Sequence, residues 1–336
     1  MRVVIRPDSS PIHGAGHAMR CVAIAEELGR CGADVTWVLD CEPIPWVSRL
    51  LRERGWTTVV TIQGAEAAEM AHLEPDAVVL DSYCLDPQVS RDIRSTGIPV
   101  VALVDDVTPA YEADLYVAPA LGTEWSAPCP DTPYLKGLDY VLIRDELRDL
   151  DPLTTRTHRD GPLQVACLFG GADTRGIAHL VVSSLTELEL PMTIDAVPNS
   201  AALTSMDSRF PAGGVIRGHS PGRDFTRLAL AADLVISAAG VSSWELLYLG
   251  VEVALIQVAD NQDANYREMT ERGWAVGLGS VEDWPSVESA LRALATDWRP
   301  GHAPPGSRGT DGRGAERVVD AIELLLDGGG PRTRRR

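Results

Sequence analysis

Positive charge is in short supply. The chain has 30 Lys and Arg against 48 Asp and Glu, a net charge of −18 at pH 7 and a pI of about 4.7. A nucleic-acid groove spread over the surface needs an excess of Lys and Arg to displace counterions, so this composition argues against one. It leaves room for a single anionic small molecule held by local backbone donors. Long apolar runs are also missing. No window approaches the roughly 18 uninterrupted apolar residues of a membrane span. The start, MRVVIRPDSSPIHGAGH, has no extended apolar segment of the signal-peptide kind, so a cytoplasmic location is expected. The cysteines (Cys21, Cys31, Cys41, Cys84, Cys129 and Cys167) form no CxxC pair and read as reduced thiols. His13 and His17 are four apart but separated by a glycine turn rather than a helix, and no zinc-ligand spacing completes them. No metal and no cofactor is expected.

What the sequence does have is the apolar content of a globular protein, 45% hydrophobic and 23% charged over 336 residues. At roughly 150 residues per domain that length suggests two domains. Short apolar runs alternate with amphipathic stretches. Strands are predicted at Val3–Arg6, Val35–Leu39, Thr58–Ile62, Ala77–Leu80, Val100–Val104 and Leu115–Val117, with helices at Ala18–Arg30, Val47–Arg54 and Pro87–Arg94. The charged stretch Arg144–Pro162 breaks this rhythm and reads as a linker. Strands are again predicted at Leu163–Phe169, Met192–Val197, Val215–Arg217, Leu234–Ser237 and Val253–Gln257. Helices are predicted at Ala178–Leu188, Ser242–Leu249, Asn261–Gly273 and Ala315–Leu325. Such alternation implies βαβ units and parallel sheets covered on both faces. The expected division is 1–148, 149–326 and a disordered basic tail, 327–336. The Pro/Gly-rich stretch from Arg299 to Gly314 reads as a mobile loop.

The chemistry-bearing segments fall where these strands end. Gly14-Ala15-Gly16-His17-Ala18-Met19-Arg20 lies between the first strand and the first helix. Gly14 and Gly16 allow close approach of a ligand to the backbone. His17 stands at the helix N-terminus, where the dipole disfavours a charged ring. A neutral imidazole there is a competent general base; the alternative is a helix-capping histidine. This GxGH is not the dinucleotide fingerprint GxGxxG. Leu80-Asp81-Ser82-Tyr83 ends a later strand, and Tyr83 either hydrogen-bonds a substrate or packs. In the second half, Gly170-Gly171-Ala172-Asp173-Thr174 suits a diphosphate, or is an ordinary turn with Asp173 as N-cap. Ala238-Ala239-Gly240-Val241-Ser242-Ser243-Trp244-Glu245 follows another strand. Ser242 and Ser243 are candidate phosphate contacts. Glu245, placed in the first helical turn, could accept both hydroxyls of a ribose or simply favour the dipole. Trp244 reads as core. Asp260-Asn261-Gln262 presents polar groups to a sugar, or caps a helix.

Taken in order, these elements resemble the UDP-sugar hydrolase of the pseudaminic acid pathway and the related spore coat polysaccharide biosynthesis proteins. The opening is RxDxSxxxGxGHxxR, here Arg6, Asp8, Ser10, Gly14, Gly16, His17 and Arg20. Leu80–Tyr83, Val104–Asp106, FGGAD, ISAAGVSSWELLYLG and ADNQ continue it, to about Gly279. The resemblance implies an α/β protein of the GT-B fold, two Rossmann-like domains with parallel sheets facing an interdomain cleft. It implies a metal-independent hydrolase of a nucleotide-activated, UDP-linked amino or deoxy sugar, with His17 as general base. Tyr83 and Asn261 would join His17 as catalytic residues at the sugar. Asp8, Gly14, Gly16, Arg20, Asp81 and Gln262 would bind substrate. Gly170, Gly171, Ala239, Gly240, Ser242, Ser243 and Glu245 would hold the nucleotide. The alternative on the same scaffold is a glycosyltransferase, in which His17 deprotonates a small acceptor. The turn GGADT replaces the family's GGSDP, and Pro7, Pro11 and His13 alter the opening loop. The expected partner is the nucleotide sugar alone, without nucleic acid or membrane span, in a monomer or homodimer.

Overall fold

The computed structural model describes residues 1–10, 14–150, 161–171, 173, 175–199, 203, 214–222, 224–298 and 309–328. They form two compact units. One comprises Met1–Asp145 and the chain from Thr310 onward, the other Glu146–Gly309.

In the first unit β1 (Arg2–Pro7), α1 (Gly16–Arg30), β2 (Asp34–Leu39), α2 (Pro45–Glu53), β3 (Thr57–Val60), α3 (Glu66–His72), β4 (Ala77–Asp81), α4 (Pro87–Ser95), β5 (Val100–Leu103), β6 (Leu115–Ala118) and β7 (Tyr134–Lys136) follow in order. The sheet order is β3-β2-β1-β4-β5-β6-β7, with every pairing parallel. Successive strand residues alternate faces, and both faces are apolar. Val3, Ile5, Trp37 and Val79 pack with Val22 and Leu28 of α1. Val4, Val38, Val78 and Leu80 pack on the other side with Met70 and Ile93. This is why the strands read as continuous apolar runs. α1 stops at Gly32, whose φ of +75° lets the N–H of Ala33 reach back to the Leu28 carbonyl at 2.9 Å.

The short helix α5 (Asp145–Arg148) lies at the crossing between units, inside the expected linker. The second unit then runs β8 (Leu163–Leu168), α6 (Ile177–Thr186), β9 (Met192–Val197), β10 (Val215–Gly218), α7 (Phe225–Ala231), β11 (Leu234–Ala238), α8 (Val241–Tyr248), β12 (Val253–Gln257), α9 (Asp263–Glu271), β13 (Val276–Ser280) and α10 (Trp284–Asp297). Its sheet is parallel too, in the order β10-β9-β8-β11-β12-β13.

The last helix, α11 (Gly314–Gly328), differs from expectation. The sequence reading put it with the second half, but Ala315, Val318, Val319 and Ile322 belong to the core that α1 and the first sheet share. Its start presses on the first unit so closely that a Cβ on Gly314 would lie 2.1 Å from the Val141 carbonyl oxygen. Helices α3, α7 and α10 and strands β7 and β13 were not expected. The expected loop from Arg299 and the basic tail fall largely outside the described residues. Among the described residues no helix is long and apolar enough to cross a membrane.

Both sheets reverse their strand order at one place, between β1 and β4 in the first and between β8 and β11 in the second. The loops leaving the carboxyl ends of strands at such a point diverge and leave a crevice where ligands bind in open α/β sheets.

Candidate functional site

In the first unit, the loop after β1 and the end of β4 bring His17 to Asp81. His17 Nδ1 lies 2.6 Å from Asp81 Oδ1, both side chains being buried. Arg20, one turn further along α1, grips the same carboxylate through Nε, 2.6 Å from Oδ2, and through Nη2 on Oδ1. Burial opposes the charge on Asp81, but Arg20 and His17 outweigh it and hold the carboxyl well below the usual carboxylate range. An ionised carboxylate only accepts, so the hydrogen shared with Asp81 is carried by His17 Nδ1. Arg20 Nη2, 3.2 Å from Nδ1, then shares the carboxylate oxygen with the ring rather than donating to the ring. The buried thiol of Cys21 sits 3.5 Å from Asp81 Oδ2; burial, and then Asp81, push it up, so it stays protonated.

Tyr83 stands edge-on to His17, with ring centroids 4.3 Å apart and planes at 83°. Its hydroxyl donates to Asp105 Oδ2 at 2.5 Å. The tyrosine therefore lies against the histidine. The capping reading of His17 is not what forms: α1 has Ala15 at its N-cap and no side-chain cap.

Other residues expected at the substrate are committed internally. Asp8 is fully buried: Oδ1 accepts from Ser82 Oγ at 2.7 Å, and Oδ2 accepts from the Tyr83 N–H at 2.8 Å. It braces the loop after β4, with Arg6 Nη1 3.3 Å from its Oδ1. Arg20 and Asp81 are locked together as described. Gly14, at φ +75°, pairs with Ser10 across the opening loop, and Gly16 starts α1. His13 and Pro11 lie outside the described residues. Asp105 enters the resemblance only within Val104–Asp106; the sequence signal for a larger part is a carboxylate just past the end of the buried strand β5.

In the second unit, Gly170 (φ +72°) turns the chain after β8. Asp173 Oδ1 and Oδ2 accept from the N–H groups of Ile177 and Ala178 at 2.8 and 2.9 Å, so this carboxylate occupies the start of α6. It does so from three residues before the N-cap, which is Gly176. Burial pushes its carboxyl up against the pull of those two N–H groups. Gly171 sits half-buried in the same turn, while Ala172 and Thr174 lie outside the described residues. After β11 the pattern differs. Gly240 is the N-cap of α8, and no side chain caps that helix. Ala239 is buried and donates its N–H to the Ile256 carbonyl at 3.1 Å. Ser243 is buried and donates its hydroxyl to the Gly240 carbonyl at 2.5 Å, whereas Ser242 is half-buried. Because α8 begins at Val241, Glu245 lies in its second turn, not the first, and is buried. Trp244 is core, its Nε1–H donating to Asn265 Oδ1 at 3.1 Å. After β12, Gln262 Oε1 accepts from the Val258 N–H at 3.0 Å, and Asn261 is exposed. A Cβ on Gly240 would lie 3.6 Å from Gln262 Nε2, so the turns after β11 and β12 adjoin.

Among the described residues no group of three or more His, Cys, Asp or Glu is placed to hold a metal ion.

No family model matches the chain. The uncharacterised protein MJ1062 of Methanocaldococcus jannaschii is 20% identical over 286 residues, which cover 81% of this chain and 59% of that protein. The chain thus spans less than two thirds of that relative's length. Three solved structures align along almost the whole chain. MurG of Acinetobacter baumannii is 17% identical with a TM-score of 0.70, covering 96% of this chain and 100% of its own. MnaA of S. aureus, in complex with UDP, is 13% identical at 0.64, covering 98% of each. The glycosyltransferase SsfS6 of Streptomyces sp. SF2575, complexed with thymidine diphosphate, is 15% identical at 0.56, covering 97% and 98%. With two parallel sheets of matching strand order and these alignments, the chain has the GT-B fold expected from its motifs.

Proposed function

We propose that the protein acts on a nucleotide-activated sugar, breaking the bond between the anomeric carbon and the nucleoside diphosphate. The observation that carries this is the His17–Asp81 pair at the strand-order reversal of the first sheet, an imidazole oriented by an ionised carboxylate. In this reading Nε2 of His17 takes the proton of an incoming nucleophile. The nucleophile's oxygen, nitrogen or sulfur bonds to the anomeric carbon. The carbon–oxygen bond to the diphosphate breaks, its electron pair leaving with the nucleotide. The imidazolium formed is paired with Asp81. Tyr83 and Asn261 are assigned to the sugar.

The nucleotide is assigned to the second unit, at the turns after β8, β11 and β12. The start of α8 has N–H groups with no side-chain cap, which suits a diphosphate. The start of α6 has the Asp173 carboxylate in that place. Gly170 and Gly171 then serve as a close backbone wall, and Glu245 is assigned to the ribose.

Transfer of the sugar to a small acceptor is the reading favoured by the likeness to a glycosyltransferase bound to a nucleoside diphosphate. Hydrolysis, with water as nucleophile, is favoured by the ordered motifs from Arg6 to Gln262. Incubation with a panel of UDP-sugars separates them. Release of free sugar equal to UDP without any acceptor supports hydrolysis. UDP release that requires an added alcohol, amine or thiol supports transfer. No UDP release under either condition sinks the whole reading.

A further inference from the structure

A third carboxylate stands behind the His17–Asp81 pair. Asp105 lies just past β5, where its own turn fixes it before it meets the site. Its N–H donates to Thr108 Oγ1 at 2.8 Å, and its Oδ1 accepts from Thr108 Oγ1 at 3.0 Å and from the Val107 N–H at 3.3 Å. That leaves Oδ2 to face the site. There it accepts the Tyr83 hydroxyl and, at 3.4 Å, Arg20 Nη1.

Both of these partners lead to the histidine. Tyr83 sets its ring against the imidazole edge, so a tyrosine anchored at its hydroxyl limits how far the imidazole can tilt. Arg20 holds both oxygens of Asp81, the carboxylate that orients Nδ1. One guanidinium thus lies between two carboxylates. With His17 neutral, the four side chains carry one net negative charge; with a proton on Nε2 they carry none.

We propose that Asp105 is a positioning residue for His17, acting through Tyr83 on one side and through Arg20 and Asp81 on the other. The proposal rests on reading His17 as the general base.

The test compares Asp105→Asn and Tyr83→Phe, singly and together, with the unmodified protein. Asp105→Asn keeps the shape of the side chain while removing its charge, and Tyr83→Phe keeps the ring while removing the anchor. Two measurements are made: kcat and KM for UDP release from whichever of UDP-glucose, UDP-galactose or their N-acetylamino counterparts is turned over, and the far-downfield NMR resonance of the His17 Nδ1–H, assigned by its loss in His17→Asn. Each single change is expected to lower kcat by about 10- to 100-fold, the scale of a misplaced catalytic group. In Asp105→Asn, KM and melting temperature should not move; Tyr83→Phe is read on kcat and melting temperature alone, because Tyr83 is also assigned to the sugar. The double variant should be no worse than Asp105→Asn alone, because that change already cuts the link through Tyr83. In Asp105→Asn the Nδ1–H resonance should shift or broaden.

An unchanged kcat and an unchanged resonance in Asp105→Asn would overturn the proposal and leave the nucleotide-sugar reading standing. So would losses that add up in the double variant, or a kcat that falls only together with the melting temperature. If no UDP-sugar is turned over, the nucleotide-sugar reading falls and the positioning of a base falls with it; the resonance then shows only whether Asp105 holds the His17 ring.

Discussion

Asp81 Oδ1 accepts from Nδ1 of His17 across 64 residues of sequence. The contact exists because β1 and β4 are parallel neighbours, paired as far as Pro7 and Asp81. The loop after one strand and the end of the other are therefore adjacent. Asp81 settles which ring nitrogen carries the hydrogen, and with it which one is available as a base.

Asp81→Asn should therefore damage both turnover and stability. Loss of the orienting carboxylate is expected to lower turnover by about 10²- to 10⁴-fold. It also leaves the buried Arg20 charge paired with Asp105 alone, at 3.4 Å, a loss of stability measurable by urea unfolding. The pH dependence follows from the lowered carboxyl. Its contribution to stability is complete above the ordinary Asp range of about 3.9. It is lost as pH falls below that toward the lower folded-state value. Unfolding monitored from pH 7 downward should show a steeper acid loss in the parent protein than in Asp81→Asn. Parallel curves would mean that Asp81 is not the group responsible.

Asp173→Ala removes the carboxylate from the start of α6. Stability should fall by about 1 kcal/mol, the usual worth of a helix cap. UDP affinity, measured by calorimetry, should not weaken, because the diphosphate is assigned to α8. A marked loss of affinity in a folded variant would move the phosphate site to the turn after β8.

Glu245→Gln and Glu245→Ala test the ribose assignment. Each should weaken UDP by about 1–3 kcal/mol, the scale of a hydrogen bond to a charged group. Two substitutions are used because Glu245 is buried and truncation alone could disturb α8. Full affinity in both, with circular dichroism unchanged, would remove Glu245 from the site.

The reading assigns the leaving diphosphate's charge to backbone N–H groups and a helix start. Turnover should then persist in excess EDTA. Loss on chelation, restored by magnesium or manganese, would contradict it.

Much of this molecule was legible from residues alone, for identifiable reasons. Strands β1, β4, β8, β11 and β12 are buried on both faces, so they appear as apolar runs flanked by loops. β7 has only three residues and β13 contains two glycines, so neither stands out. Helix α10 did leave a signal, in the spacing of Val287, Leu291 and Ala295 that packs it on the second core. The partner of α11 left none: its apolar stripe would suit either unit, and only the return of the chain at Thr310 decides. At the site, His17 and Tyr83 could be singled out individually. The fate of the carboxylates could not, because nothing local distinguishes an Asp that meets substrate from one sealed against Ser82 and Tyr83, as Asp8 is, or clamped by Arg20, as Asp81 is.

The central claim is that His17 is the base, and turnover of His17→Ala and His17→Asn tests it most directly. The account predicts a fall of about 10²- to 10⁴-fold, the usual worth of a general base. UDP affinity should stay the same, because the nucleotide is assigned to the second unit. Near-full turnover in either variant would contradict the account.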